Sequence, residues 1–201
     1  MWLIAGLGNP GSRYERTPHN LGYEVADTLV RRHGLRWEDS RRFKSFAAAG
    51  SFNGEKIYFL KPITYMNLSG DAVQPFADFY KIPPANVLVA CDDVNLPYGR
   101  IRLRERGSDG GQKGLRNIIQ RLGTDAFCRL RIGCAPERPV GDLAGYVLSP
   151  IWGEGVELAR LAVEAAADCI EDVLAKGPQK TMSVWNAWSA RPEDDPRAKA
   201  Q

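Results

Sequence analysis

A chain of 201 residues with 44% hydrophobic and 25% charged side chains has the length of one domain with a sizeable core, and its composition excludes fibrous and disordered classes. No apolar run reaches membrane length, and the opening MWLIAGLG has no basic segment before it, which makes a poor secretory signal, so a cytoplasmic protein away from membranes is expected. The net charge of +3 selects no partner by itself, but its distribution is informative.

Met1 to Leu7 is apolar without helical spacing, as in a short buried strand. Gly8, Pro10 and Gly11 then turn the chain. From Asn20 onward Leu21, Val25, Ala26, Leu29 and Val30 recur at helical spacing, predicting an amphipathic helix that ends near Gly34. His19 falls at the start of that helix, where the positive end of the dipole disfavours imidazolium and leaves a neutral ring able to accept a proton. Two readings fit: a general base, or a histidine that packs the helix start with Thr17 as N-cap and Pro18 at N1. Gly6, Gly8 and Gly11 also satisfy G-x-G-x-x-G. Pro10 and the intervening SRYERTP keep the third glycine out of a helix, however, and Glu24 and Asp27 fall inside the helical pattern, so dinucleotide binding is not expected.

Residues 35–44 read as a polar connector, and 46–52 with 55–60 as a β-hairpin turning at Asn53 and Gly54, its second strand ended by Pro62. A helix is predicted over 69–80, with Val73, Phe76, Phe79 and Tyr80 on one face and Pro75 as a kink or a new start. Residues 86–91 fit a central strand that ends on Asp92 and Asp93. From Arg100 to Arg106 arginines alternate with Ile101 and Leu103, a half-buried strand with an arginine row on its open side. The glycine-rich stretch 107–114 leads into a helix through Leu115, Ile118, Ile119 and Leu122 and can present backbone amides to an anion. It is not a Walker loop, because Gly114 follows Lys113. Residues 127–134 begin as another strand, with Arg129 and Arg131 against Leu130 and Ile132. The longest helical pattern spans 150–176, with Val184, Trp185 and Trp188 expected to dock after it. Alternating strands and helices predict an α/β fold: a single domain over 1–189 with a mixed, twisted sheet flanked by helices. Residues 190–201 lack large apolar side chains and are expected to form a disordered tail.

Cys91, Cys128, Cys134 and Cys169 show no C-x-x-C spacing, and the chain holds two histidines, so neither a zinc site nor a disulfide framework is expected, and no metal or cofactor is called for. Cys91, just before Asp92, can be read as a nucleophile or as a buried thiol. Between Arg100 and Arg131 nine basic residues stand against three acids, an excess of six compared with +3 for the whole chain. Alternation gathers much of that charge on one surface, which fits either a solvated strand face or contact with a nucleic-acid backbone. No aromatic platform for reading bases is visible.

The segments GLGNPGSRYERTPHNLGYEVAD (6–27), KPITYMNLSGDAV (61–73), VACDDVNLPYGRIRLRERGSDGG (89–111) and RLGTDAFCRLRIG (121–133) occur in one order, and with them the chain resembles the bacterial peptidyl-tRNA hydrolase family. The resemblance implies a monomeric esterase that cleaves the bond between a peptide's C-terminal carboxyl and the 3′ ribose of tRNA, recycling tRNA during translation. It implies that His19 is the catalytic base and Asp92 the carboxylate that orients it. Asn9 and Asn67 match amides that position water and the peptide end, Met66 a wall of the same pocket, and Tyr14 a residue near the tRNA side. Arg102, Arg104 and Arg131 fall where the family is expected to meet tRNA phosphate. On the residues alone, Asn9 is a turn residue and Met66 is core. In the mechanism implied, water deprotonated by His19 attacks the ester carbonyl while amide donors such as Asn67 hold the oxyanion.

The chain departs from the family pattern at three places. Pro18 replaces the arginine of Thr-Arg-His-Asn, Asn95 replaces an aspartate, and Gly110–Gly114 read Gly-Gly-Gln-Lys-Gly where Gly-Gly-His-Asn-Gly is usual. Lys113 cannot accept hydrogen bonds as that asparagine does, and it is assigned to substrate binding through phosphate instead. The alternatives are a non-catalytic RNA-binding relative, as in chloroplast intron-splicing proteins, which binds without turnover, and a general carboxylesterase, which shows no salt-sensitive tRNA binding.

Overall fold

The computed structural model describes residues 1–191 and 193. Its seven strands are β1 (Trp2–Gly6), β2 (Glu38–Ser40), β3 (Ser45–Phe52), β4 (Glu55–Pro62), β5 (Val87–Pro97), β6 (Ile101–Arg104) and β7 (Cys128–Ala135). They form one mixed sheet in the order β2-β3-β4-β1-β5-β7-β6. The four central strands are parallel, and the antiparallel pairs lie toward the two edges. The helices are α1 (Leu21–Arg32), α2 (Gly70–Phe79), α3 (Lys113–Leu122), α4 (Leu143–Val147), α5 (Glu154–Lys176) and α6 (Pro178–Trp185).

Strand alternation sorts the apolar side chains into two cores. Ile4, Phe59, Leu88 and Leu130 pack with α1 and α5 on one face. Leu3, Leu60, Val89 and Cys91 pack with α2 and α3 on the other. Two glycines fix the seat of α1. A Cβ on Gly6 would lie 2.2 Å from the Gly22 carbonyl oxygen, and one on Gly22 would lie 2.3 Å from that of Ala90. Glycine at both positions therefore lets the start of α1 rest directly on β1 and β5, the strand that carries Asp92.

Several expectations change in the structure. The strand expected over 86–91 continues to Pro97, so Asp92 and Asp93 lie within it, supported by pairing with Ile132 and Gly133. The connector 35–44 contains β2, a short polar edge strand that carries no apolar alternation to betray it. Helix α2 runs through Pro75, because aromatic contacts of Phe76 with Phe43 (5.1 Å), Tyr58 (5.4 Å) and Tyr80 (4.7 Å) anchor it beyond the one missing hydrogen bond. Helix α5 starts at Glu154, four residues after Pro150, and α4 was not foreseen; the Asp142 side chain caps α4 by accepting from Gly145 N. Trp185 and Trp188 pack against the core, whereas Val184 is exposed. Of the stretch expected as a tail, Ala190 N donates to the Gly99 carbonyl and Arg191 pairs with Glu154. Residues 192 and 194–201 lie outside the described residues.

Candidate active site

His19 sits in a single 3-10 turn, Pro18–Asn20, that leads into α1. Thr17 does not cap it: the Thr17 hydroxyl donates to the Tyr14 carbonyl at 2.7 Å. Across the seam between α1 and the sheet, His19 Nδ1 lies 2.7 Å from Asp92 Oδ2, with the carboxylate almost wholly buried and the ring partly open to solvent. An ionised carboxylate only accepts, so Nδ1 carries a proton, and the tautomer this contact selects in a neutral ring is the one with Nε2 bare. The other carboxylate oxygen, Oδ1, accepts from Gln112 Nε2 at 2.9 Å.

A second network sets Asn9. Asn20 holds its backbone from both sides, accepting from Asn9 N at 2.8 Å and donating to Asn9 O at 3.1 Å. The Asn9 side-chain oxygen takes the Met66 amide proton at 2.8 Å. Because that N–H can only donate, Asn9 Nδ2 is the end left for the cavity. Asn9 and Met66 are both buried, so the turn residue and the core residue of the sequence reading are joined in one wall.

These groups line a cavity of about 720 Å³ that also takes in Tyr14, Asn67 and Lys113. Asn67 and Lys113 are exposed at its edge, Lys113 as the first residue of α3. The Tyr14 hydroxyl accepts from Arg13, whose guanidinium also lies 4.5 Å from the ring centre. An apolar wall from Leu143, Val147 and Leu148 completes the cleft. Sequence reasoning missed this wall, which α4 and the residue that follows it supply, and missed the roles of Asn20 and Gln112. The signals available were the place of Gln112 at the start of a predicted helix and its departure from the histidine of the family pattern.

The arginine row divides. Arg102 and Arg104 are exposed on β6, away from the cavity lining. Arg131, expected at tRNA phosphate with them, lines the cavity from a largely buried position beneath the 107–111 loop, where it pairs with Asp93 at 3.4 Å and donates to the Ser108 carbonyl at 2.9 Å. Arg129 is 1% exposed and donates to the carbonyls of Gly107, Ser108, Asp125 and Phe127, and burial, then Arg131, lowers its pKa. Carbonyls of the loop and of Asp125 and Phe127, with the Asp93 carboxylate, take up the charge of β7, and that leaves β6 as the open row. Cys91 is fully buried, and burial, reinforced by Asp92, pushes its thiol up; it has no path to act as a nucleophile.

A profile of peptidyl-tRNA hydrolases matches residues 3–194. The chain belongs to the peptidyl-tRNA hydrolase family. Among peptidyl-tRNA hydrolases, that of Gloeobacter violaceus is 43% identical over 194 residues, spanning 96% of this chain and 98% of that protein. The peptidyl-tRNA hydrolase of Carboxydothermus hydrogenoformans is 46% identical over 187 residues, with 92% and 98% covered. A crystal structure of peptidyl-tRNA hydrolase from Acinetobacter baumannii superposes with a TM-score of 0.89 at 33% identity, covering 94% of this chain and 96% of that one. Among the described residues of this family member, no helix is long and apolar enough to cross a membrane, and no group of three or more His, Cys, Asp or Glu is placed to hold a metal ion.

Proposed function

We propose that the protein hydrolyses the ester between the C-terminal carboxyl of a peptide and the 3′ ribose of tRNA, with His19 as the general base. The observation that carries this reading is the buried Asp92 holding the His19 ring by Nδ1, so that a bare Nε2 faces the cleft. Water at Nε2 gives up a proton as its oxygen attacks the ester carbonyl. Asp92 stabilises the imidazolium that forms. The amide donors of Asn9 and Asn67 meet the tetrahedral oxyanion. Collapse expels the ribose 3′ oxygen, which takes the proton back from Nε2, leaving a free peptide acid and a 3′ hydroxyl. No bond to the protein forms, in keeping with cysteines that are all buried.

The apolar wall of Leu143, Val147 and Leu148 suits peptide side chains, and Tyr14, also at the lining, is assigned to the tRNA side. Lys113 and the open pair Arg102 and Arg104 supply cations for phosphate. Arg131, at the cavity lining, holds Asp93 and the loop in place beside them. Four free buried cysteines suit the reducing cytoplasm. Purified protein incubated with an N-blocked aminoacyl-tRNA should release free tRNA and should leave a simple carboxylic ester largely intact. Salt-sensitive tRNA binding with no release would select the splicing-type relative, and rapid cleavage of the simple ester would select the general esterase.

A further inference from the structure

A glutamine at the start of α3 invites an explanation. Short side chains, Ser, Asp and Asn, are the preferred N-cap acceptors. Gln112 does the same job with a longer arm, its Oε1 accepting from Leu115 N at 2.9 Å. The added length carries the other end of the carboxamide inward. There Nε2 donates to Asp92 Oδ1 at 2.9 Å and lies 3.1 Å from Met66 Sδ. The residue is 7% exposed. Because the helix amide can only donate, the oxygen of Gln112 must face the helix and its nitrogen must face Asp92.

The surroundings are shaped to this arrangement. A Cβ on Gly114 would come within 2.7 Å of Met66 Sδ and 2.9 Å of Gln112 Oε1, so glycine there leaves the carboxamide its space. Asp92 receives two side-chain hydrogen bonds among the described residues, one on each oxygen, from His19 and from Gln112. A carboxylate torsion is broad and nearly two-fold. With Oδ1 unheld, the carboxylate is free to turn Oδ2 off the His19 ring.

We infer that Gln112 is a positioning residue for the hydrolysis: it pins one oxygen of Asp92 so that the other stays on His19 Nδ1, and it takes its own bearing from the first turn of α3. The inference rests on the function proposed above. Both ends of the Gln112 carboxamide are taken up by Asp92 and Leu115 N, so its removal acts on turnover through the alignment of the base.

Gln112→Ser separates its two jobs, because serine caps a helix well but cannot reach Asp92. Its melting temperature should stay within about 2 °C of wild type, its KM within about twofold, and its kcat should fall about tenfold or more. Gln112→Glu keeps both the length and an oxygen for Leu115 N while setting a carboxylate against Asp92. It should fold, and kcat should fall at least as far. A wild-type kcat in either folded variant overturns the positioning role. His19→Ala measured beside them separates the two levels of argument. Wild-type turnover by His19→Ala defeats the proposed base itself, whereas loss in His19→Ala with full turnover in Gln112→Ser defeats the inference alone.

Discussion

Replacing Asp92 by asparagine changes one atom and should silence the centre. The Gln112 nitrogen faces Asp92 Oδ1 and cannot turn round, because the Gln112 oxygen is held by Leu115 N at 2.9 Å. An asparagine at 92 therefore settles with its oxygen toward Gln112 and its NH2 toward His19. That NH2 meets Nδ1 at the place where a carboxylate oxygen now stands 2.7 Å away. Two donors cannot share that contact, so the imidazole moves its proton to Nε2 and loses the lone pair that takes the proton of water. Loss of the charge-assisted bond is worth about 1.5–3 kcal/mol, or about 10- to 150-fold in rate at about 1.4 kcal/mol per decade. The wrong tautomer adds to this, and in serine hydrolases the equivalent substitution costs about 10⁴ in kcat. The expected loss in Asp92→Asn is about 1000-fold or more in kcat, with KM within a few-fold, read as single-turnover release of tRNA from peptidyl-tRNA. A loss under tenfold in a folded variant refutes the tautomer argument.

The remaining predictions reach other parts of the molecule. Arg102→Ala and Arg104→Ala should each weaken tRNA binding and lower the slope of log Kd against log salt by about 1, with kcat at saturation unchanged. An unchanged slope in the double variant removes β6 from the interface. Gly22→Ala should cost about 1–3 kcal/mol in denaturant unfolding and reduce kcat, because its Cβ meets backbone of Ala90 at 2.3 Å and of Leu7 at 2.6 Å and must lift α1 from the sheet. Full stability would show that this seat is loose. Asp172 is held below its ordinary value of 3.8 by hydrogen bonds from Lys176 and then Trp185. A depressed folded value means that its contribution is present above the ordinary value and is lost as pH falls through the folded one. Asp172→Asn should therefore lower neutral stability by under about 1 kcal/mol, the side chain being 30% exposed. It should also flatten the acid limb of a pH-dependent melting curve, and an unaltered limb would contradict the assignment.

Periodicity made most of the sheet and the larger helices legible. Leu3, Ile4 and Ala5 alternate between two cores, and Val25, Leu29 and Val30 mark the stripe of α1. What escaped notice carried no apolar signature: β2 is polar and exposed, and α4 is one short turn fixed by the Asp142 cap. At the site, the resemblance named His19, Asp92, Asn9 and Met66, and the cavity brings them together. The residues alone left Asn9 in a turn and Met66 in the core, because their bond spans 57 positions of sequence. Gln112 stood out only as a departure from the family pattern, and its role stayed hidden for a related reason, since both its partners are set by the fold. Alternation along β7 also predicted open arginines, where the 107–111 loop buries Arg129 and Arg131. Period two identifies a face but does not say what covers it.

The most direct test is single-turnover hydrolysis of peptidyl-tRNA by wild type and by His19→Ala, with tRNA affinity measured on the same preparations. A base that activates water predicts a fall of about 100- to 10,000-fold in the rate while tRNA binding is retained. Release at the wild-type rate by His19→Ala would contradict the assignment.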